Sequence, residues 1–194
     1  MSNGNQQLLQ QVGRILKSNE CLAIRFKLEN ISIHTFTYMY IAQVMLEGRL
    51  IRVVVGSGNG YDNTTTPRTL TFASADPQPG TIVHEATHAV IDATHKGQTI
   101  QKGANEAAAF LAEAVYELLA DESWLGTSTP HYFARAFYKL AKNAINHNSN
   151  DSLPRFVCPP GDVMNLKALI GTLPDYSNTN LNQNDTMQGI GDGA

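Results

Sequence analysis

Two histidines four residues apart with a glutamate between them are the residues best suited to chemistry in this chain: His84, Glu85 and His88, in the run TIVHEATHAVIDATHKG. On a helix this spacing puts both imidazoles on one face a turn apart, where they can converge on a single cation. Glu85 projects about 100° around the axis from His84. There it flanks such a cation rather than ligating it, and can serve a water molecule as general base. Ile82, Val83, Ala86, Val90 and Ala93 gather on the opposite arc. An H-E-any-any-H window arises by chance in roughly one chain of this composition in a hundred. Its setting, after a strand, before a glycine stop and upstream of a carboxylate-bearing helix, points to zinc. A catalytic zinc takes three protein ligands and keeps a fourth position open. Glu106, Glu113 and Glu117 share one stripe of the downstream helix, at spacings of seven and four. Glu106 is the preferred third ligand, because it follows His88 after a loop of workable length, near the start of a helix able to lie antiparallel to the first.

The surrounding elements read as an α+β fold, with a small antiparallel or mixed sheet followed by the active-site helix and the glutamate-bearing helix. The 194 residues, 42% apolar, suit one domain, expected over residues 1–177. Leu8, Leu9, Val12, Ile15 and Leu16 recur at helical spacing, predicting a helix over about 5–18 that packs on the domain as a lid. Over 21–73 the texture is that of an antiparallel sheet: IRFKLENISI alternates, TYMYIAQVML is rich in β-branched and aromatic residues, Glu47-Gly48 signals a turn, and LIRVVV follows. GSGNGYDNTTTPR reads as a loop and TLTFAS as a short strand. GSGNG is no phosphate loop, since no helix begins directly after it and no lysine stands at the required position. Residues 81–170 read as helical: one helix over about 81–96 stopping at Gly97, a second starting near Asn105 as N-cap, and a third over about 132–146. From 178 to 194 the sequence has almost no apolar content and is expected to be disordered.

A formal charge of −3, a pI near 6.0 and the lack of any lysine- and arginine-rich run exclude nucleic acid and an anionic membrane as expected partners. MSNGNQQLLQQVGRILKSNE lacks the apolar core of a signal peptide, and no stretch reaches the eighteen or so apolar residues of a membrane span. The expectation is a soluble protein, cytoplasmic or exported without a cleavable signal. Cys21 and Cys158 have no CxxC spacing and read as buried free thiols.

HEATHAVID followed by GANEAA resembles the thermolysin-like zinc metallopeptidases, and more broadly the gluzincins, over residues 81 to about 110. The resemblance implies a zincin-like fold with His84 and His88 as histidine ligands, Glu85 as catalytic glutamate and Glu106 as glutamate ligand, Asn105 and Asp92 falling on matching flanking positions. Two departures stand out. The gap from His88 to Glu106 is slightly shorter than in thermolysin itself, and Phe110 stands where that family has an aspartate orienting a ligand histidine. Glu113 is the carboxylate that can replace it, since a ligated imidazole normally gives its other N–H to an oxygen; alternatively Glu113 is itself the ligand in place of Glu106. Gluzincins also place a histidine or tyrosine to stabilise the oxyanion, for which His131 and Tyr132 are the candidates. Their substrate pairs with the sheet edge beside the active-site helix, the part TLTFA would play. His34, His95 and His147 read as structural or surface residues.

The function expected is a zinc metallopeptidase in which Glu85 takes the proton of a zinc-activated water as it attacks a peptide bond of a peptide or protein substrate. The chain leaves little room for a second domain to close the cleft. A shallow groove, open or covered by another chain or by the N-terminal helix, and a narrow specificity follow. The alternatives are a zinc amidase or effector acting on cell-wall peptides, and a non-catalytic protein with a structural zinc closed by a fourth protein ligand.

Overall fold

The computed structural model describes residues 3–121, 131–147 and 154–190, without the side chains of residues 3 and 131–134. The architecture is mixed α+β, with seven α-helices and three small sheets among the described residues. The first helix, α1 (Asn3–Leu16), buries Leu8, Val12 and Leu16 completely. At about 1.5–3 kcal/mol for each fully buried aliphatic side chain, this stripe is a structural part of the core. It is no lid, because no α1 residue lines the cleft described below.

After the short α2 (Asn19–Leu22), β1 (Phe26–Leu28) and β2 (Ile31–Ile33) form an antiparallel hairpin with Phe26 opposite Ile33. The next element corrects the expectation of a continuous antiparallel sheet. TYMYIAQVML lies in a helix, α3 (Thr35–Glu47), that buries Thr37, Tyr38, Ile41, Ala42, Val44 and Met45. That is helical periodicity: a strand would bury Met39 and Gln43 with Ile41, and both are exposed. Strand propensity spans only about 1 kcal/mol, less than burying this face returns. Gly48, at φ 69°, is the left-handed C-cap of α3 rather than a hairpin turn.

The three-stranded sheet is mixed. β3 (Ile51–Val55) runs parallel to β5 (Arg68–Phe72), and β4 (Gly60–Asp62), within the stretch expected to be a loop, pairs antiparallel with the other side of β5. TLTFA is therefore the central strand, with its backbone already paired on both sides. The edges belong to β3 and β4, and of the two β4 borders the cleft described below.

The histidine-bearing helix, α4 (Pro79–Thr94), starts on a proline at its first position, where a missing N–H costs nothing. Gln78 provides no side-chain cap; the Gly80 amide instead meets the carboxylate of Glu117 from α5 (Lys102–Ala120). A Cβ at Gly80 would displace that carboxylate and lie 3.2 Å from Glu113 Cγ. On its other side α4 is tied to α3 by Tyr38 Oη and Thr87 Oγ1, 2.7 Å apart. Gly97, at φ 78°, turns the chain away after α4. The pairs Gly80–Glu117, His84–Glu113 and His88–Asn105 show that α4 and α5 run antiparallel. The small buried side chains Ala104, Ala107, Ala108 and Ala112 on α5 suit this close packing.

α5 begins three residues before the expected N-cap. The amides of Lys102 and Gly103 donate to the carbonyls of Gln183 and Leu181, both at 2.8 Å, so the chain's C-terminal segment caps this helix. Asn105 is released from capping. α6 (His131–His147) packs against α5 through Phe137, Leu140, Ala141 and Ala144, and α7 (Pro160–Ile170) buries Val163, Leu166 and Ile170.

The expected disorder from residue 178 is also corrected, through residue 190. β7 (Asn184–Thr186) pairs antiparallel with β6 (Thr99–Gln101), and Met187 and Ile190 are buried. Low apolar content misleads here, because backbone pairing and two apolar anchors hold the segment. Among the described residues no helix is long and apolar enough to cross a membrane. Cys21 and Cys158 are buried and unpaired.

Candidate metal centre

One turn of α4 and the first turns of α5 bring His84, His88 and Glu106 together. One donor atom from each lies within 4.8 Å of the others. Glu106 Oε2 is 3.6 Å from His84 Nε2 and 3.7 Å from His88 Nε2. Two donors held at about 2.1 Å from one ion at the tetrahedral angle sit about 3.4 Å apart, so each Glu106–histidine pair needs to tighten by only a few tenths of an ångström. Each far ring nitrogen faces an oxygen acceptor: His84 Nδ1 is 3.1 Å from Glu113 Oε2, and His88 Nδ1 is 2.8 Å from Asn105 Oδ1. A neutral imidazole that donates Nδ1–H keeps its Nε2 lone pair for a cation. The residues thus fit a metal: this buried group can hold an ion with three donors of the types zinc takes.

The charges of the neighbours agree. Burial works against protonation of His84, but its contacts with Glu106 and Glu113 outweigh it and raise the imidazole well above its ordinary range. Burial pushes the Glu106 carboxyl up, yet His88, His84 and the Tyr176 hydroxyl prevail and hold it low. Glu85 shifts upward, burial outweighing the two histidines. The centre is one where positive charge among the three donors is favoured.

Glu85 lines the same cleft, a cavity of about 490 Å³ in which His84, His88, Glu106 and Tyr176 also stand. β4 and its flanking turns form one wall, and β7 with Met187 and Gln188 another. Asp92, one turn beyond His88, couples these walls. Its Oδ1 accepts from the amides of Gln188 (2.6 Å) and Gly189 (3.1 Å), and its Oδ2 from the Tyr61 hydroxyl (2.9 Å).

Of the residues the sequence singled out, the structure brings together His84, Glu85, His88 and Glu106, with Glu113 on His84 as an acceptor. Glu117 goes to Gly80 instead. Asn105 holds His88 and is not an N-cap. Phe110 packs edge-on against His84, with ring centroids 4.5 Å apart. The side chains of His131 and Tyr132 lie outside the described residues. His95 ends α4 with its ring nitrogens facing the carbonyls of Ile91 and Asn30 (both 3.1 Å), and His147 faces Asn143 O; His34 precedes α3. Sequence reading missed Tyr176, in a 3₁₀ turn (Pro174–Tyr176), whose hydroxyl donates to Glu106 Oε2 at 2.8 Å. It also missed β4 and β7 as walls, and no motif marks either. No protein-family model matches the chain, and comparison with curated proteins and with solved structures found no match.

Proposed function

We propose that this protein is a zincin-like zinc metallopeptidase of gluzincin type, hydrolysing peptide bonds of a restricted set of peptide or protein substrates. The observation that carries the reading is the convergence of His84 Nε2, His88 Nε2 and Glu106 Oε2 beside Glu85 in one cleft, with each imidazole's far nitrogen on an oxygen acceptor. Zinc held by those three residues supplies Lewis acidity to the site. Glu85, one position from His84 on α4, removes a proton from the attacking water and returns it to the leaving amine. Glu113 and Asn105 hold the two rings in the ligating tautomer. Tyr176 can turn its hydroxyl from Glu106 toward the substrate oxygen as negative charge develops there. The free edge of β4, rather than β5, receives the substrate as an added strand.

A closed structural zinc needs a fourth protein ligand, and among the described residues the cluster has three members in an open cleft. Elemental analysis tests the site: about one zinc per chain is expected for wild type and for Glu85→Gln, and loss of it for His88→Ala. Wild type should then cleave peptides that Glu85→Gln leaves intact. Zinc-free wild-type protein, or an active Glu85→Gln, overturns the reading.

A further inference from the structure

We propose that Lys102 is the recognition cation of this cleft, taking a carboxylate of the substrate peptide two or three residues from the scissile bond. The inference rests on the hydrolase reading and names its substrate class: peptides with an acidic side chain or a terminal carboxylate near the cut.

Lys102 is the first residue of α5, half-buried, and the one lysine or arginine among the residues lining the cleft. It has no side-chain partner among the described residues. Two other cations, Lys167 beside β6 and Arg68 on β5, are committed to structure. Lys167 is fixed by Glu29 Oε1 at 2.6 Å and Gln101 Oε1 at 3.0 Å, and Arg68 donates to the carbonyls of Thr65 (2.6 Å) and Gly189 (3.1 Å). The acids nearby do not neutralise Lys102 either. Asp92 is saturated by Tyr61 and two backbone amides. Asp185 on β7 lines the cleft without an ion pair among the described residues; it repels a carboxylate, which leaves Lys102 as the place for one.

Placement sets the distance. Lys102 precedes Glu106 by four residues, so both lie on one face of α5 with an axial offset of about 6 Å. Helical side chains lean toward the N-terminus, which carries the ammonium outward to roughly 6–12 Å from the ligand oxygen. An extended peptide advances about 3.3 Å per residue, giving two or three residues. Away from Glu85, Glu106 and the two histidines, the remaining lining is largely neutral and hydrogen-bonding, with Asn59, Asn63, Thr64, Thr186 and Gln188 among it. It suits a polar backbone and offers little to a large apolar side chain.

The probe is a set of N-acetylated Gly/Ala hexapeptides with one Glu placed at each position in turn, matched to Gln controls, each made as C-terminal amide and as free carboxylate. Cleavage by wild type is read by mass spectrometry, and binding to zinc-loaded Glu85→Gln protein by calorimetry. A Glu preference at one position, or for the free carboxylate, is expected. In binding it should fall about tenfold with Lys102→Met, persist with Lys102→Arg and reverse with Lys102→Glu. The two arms separate side-chain from terminal carboxylate. An acidic preference in binding that Lys102→Glu reverses supports the inference even if no peptide is cut, when the hydrolase reading alone fails. Cleavage without acidic preference, a preference indifferent to Lys102→Glu, or no binding of any member overturns it.

Discussion

Glu113 decides between two accounts of the metal centre, because it either ligates the ion or holds a ligand. In the structure its Oε2 lies 3.1 Å from His84 Nδ1, the ring nitrogen pointing away from Glu106, while Glu106 Oε2 faces both Nε2 atoms. Glu113→Ala removes the acceptor and keeps all three donors. An acceptor behind a ligand typically contributes 10–100-fold in metal affinity, or about 1.4–2.7 kcal/mol. The Glu113 side chain is 25% exposed, so solvent screens its charge and the lower half of that range is expected. Glu113→Gln keeps an acceptor oxygen without the charge and should lose only a few-fold by the same scale. Glu106→Ala deletes a donor and should lose well over a hundredfold, beyond that range. The assay is zinc competition against a fluorescent chelator at fixed pH, with circular dichroism confirming the fold. Wild-type affinity in Glu113→Ala, or a loss equal to that of Glu106→Ala, would falsify the assignment of Glu113 as the group that orients His84.

Three further outcomes follow from contacts elsewhere. Gly80→Ala pushes the Glu117 carboxylate off the Gly80 amide and sets a methyl against Glu113 Cγ; losing that hydrogen bond costs about 0.5–1.5 kcal/mol, so urea denaturation should show a lower midpoint, and an unchanged one counts against the capping contact. Asp92→Ala orphans the amides of Gln188 and Gly189 and the Tyr61 hydroxyl. Hydrogen exchange at residues 184–190 should accelerate while zinc is retained, and continued protection there would refute the coupling role. Tyr176→Phe should retain zinc and lower kcat by about 10²–10³, the usual cost of losing one oxyanion donor. A change confined to KM would assign Tyr176 to substrate binding.

The cluster of His84, His88 and Glu106 was legible because its logic is local. His84, Glu85 and His88 share two turns of one helix, and Glu106 opens the next, so the spacing carries the geometry. α4 and the amphipathic α1 were legible for the same reason, since one stripe of apolar residues specifies a helix wherever it docks. α3 was not. Its Thr, Tyr, Ile and Val content favours a strand, and only the packing of Tyr38 and Ile41 into the core selects the helix. The sheet failed at another level. Parallel pairing of β3 with β5 requires a return of the chain that neither strand encodes, and three-residue β4 is too short to show a period.

Compositional argument fails furthest at the C-terminal segment. Residues 178–190 lack the apolar content for a core of their own, and disorder follows only if nothing else is offered. The fold offers three things that no window of sequence displays: the edge of β6, the open amides at the start of α5, and a buried carboxylate at Asp92. Each partner needs the other. An Asp92 buried without those amides would lose the two backbone donors to its Oδ1, keeping Tyr61 and the Arg68 guanidinium 3.9 Å away on Oδ2, and an α5 without the carbonyls of residues 181 and 183 would leave its first N–H groups unmet. Capping α5 from outside also leaves the Asn105 side chain free to hold His88. The polar C-terminal segment and the orientation of the His88 ring are thus one structural problem, and a motif search over residues 81–110 sees only half of it.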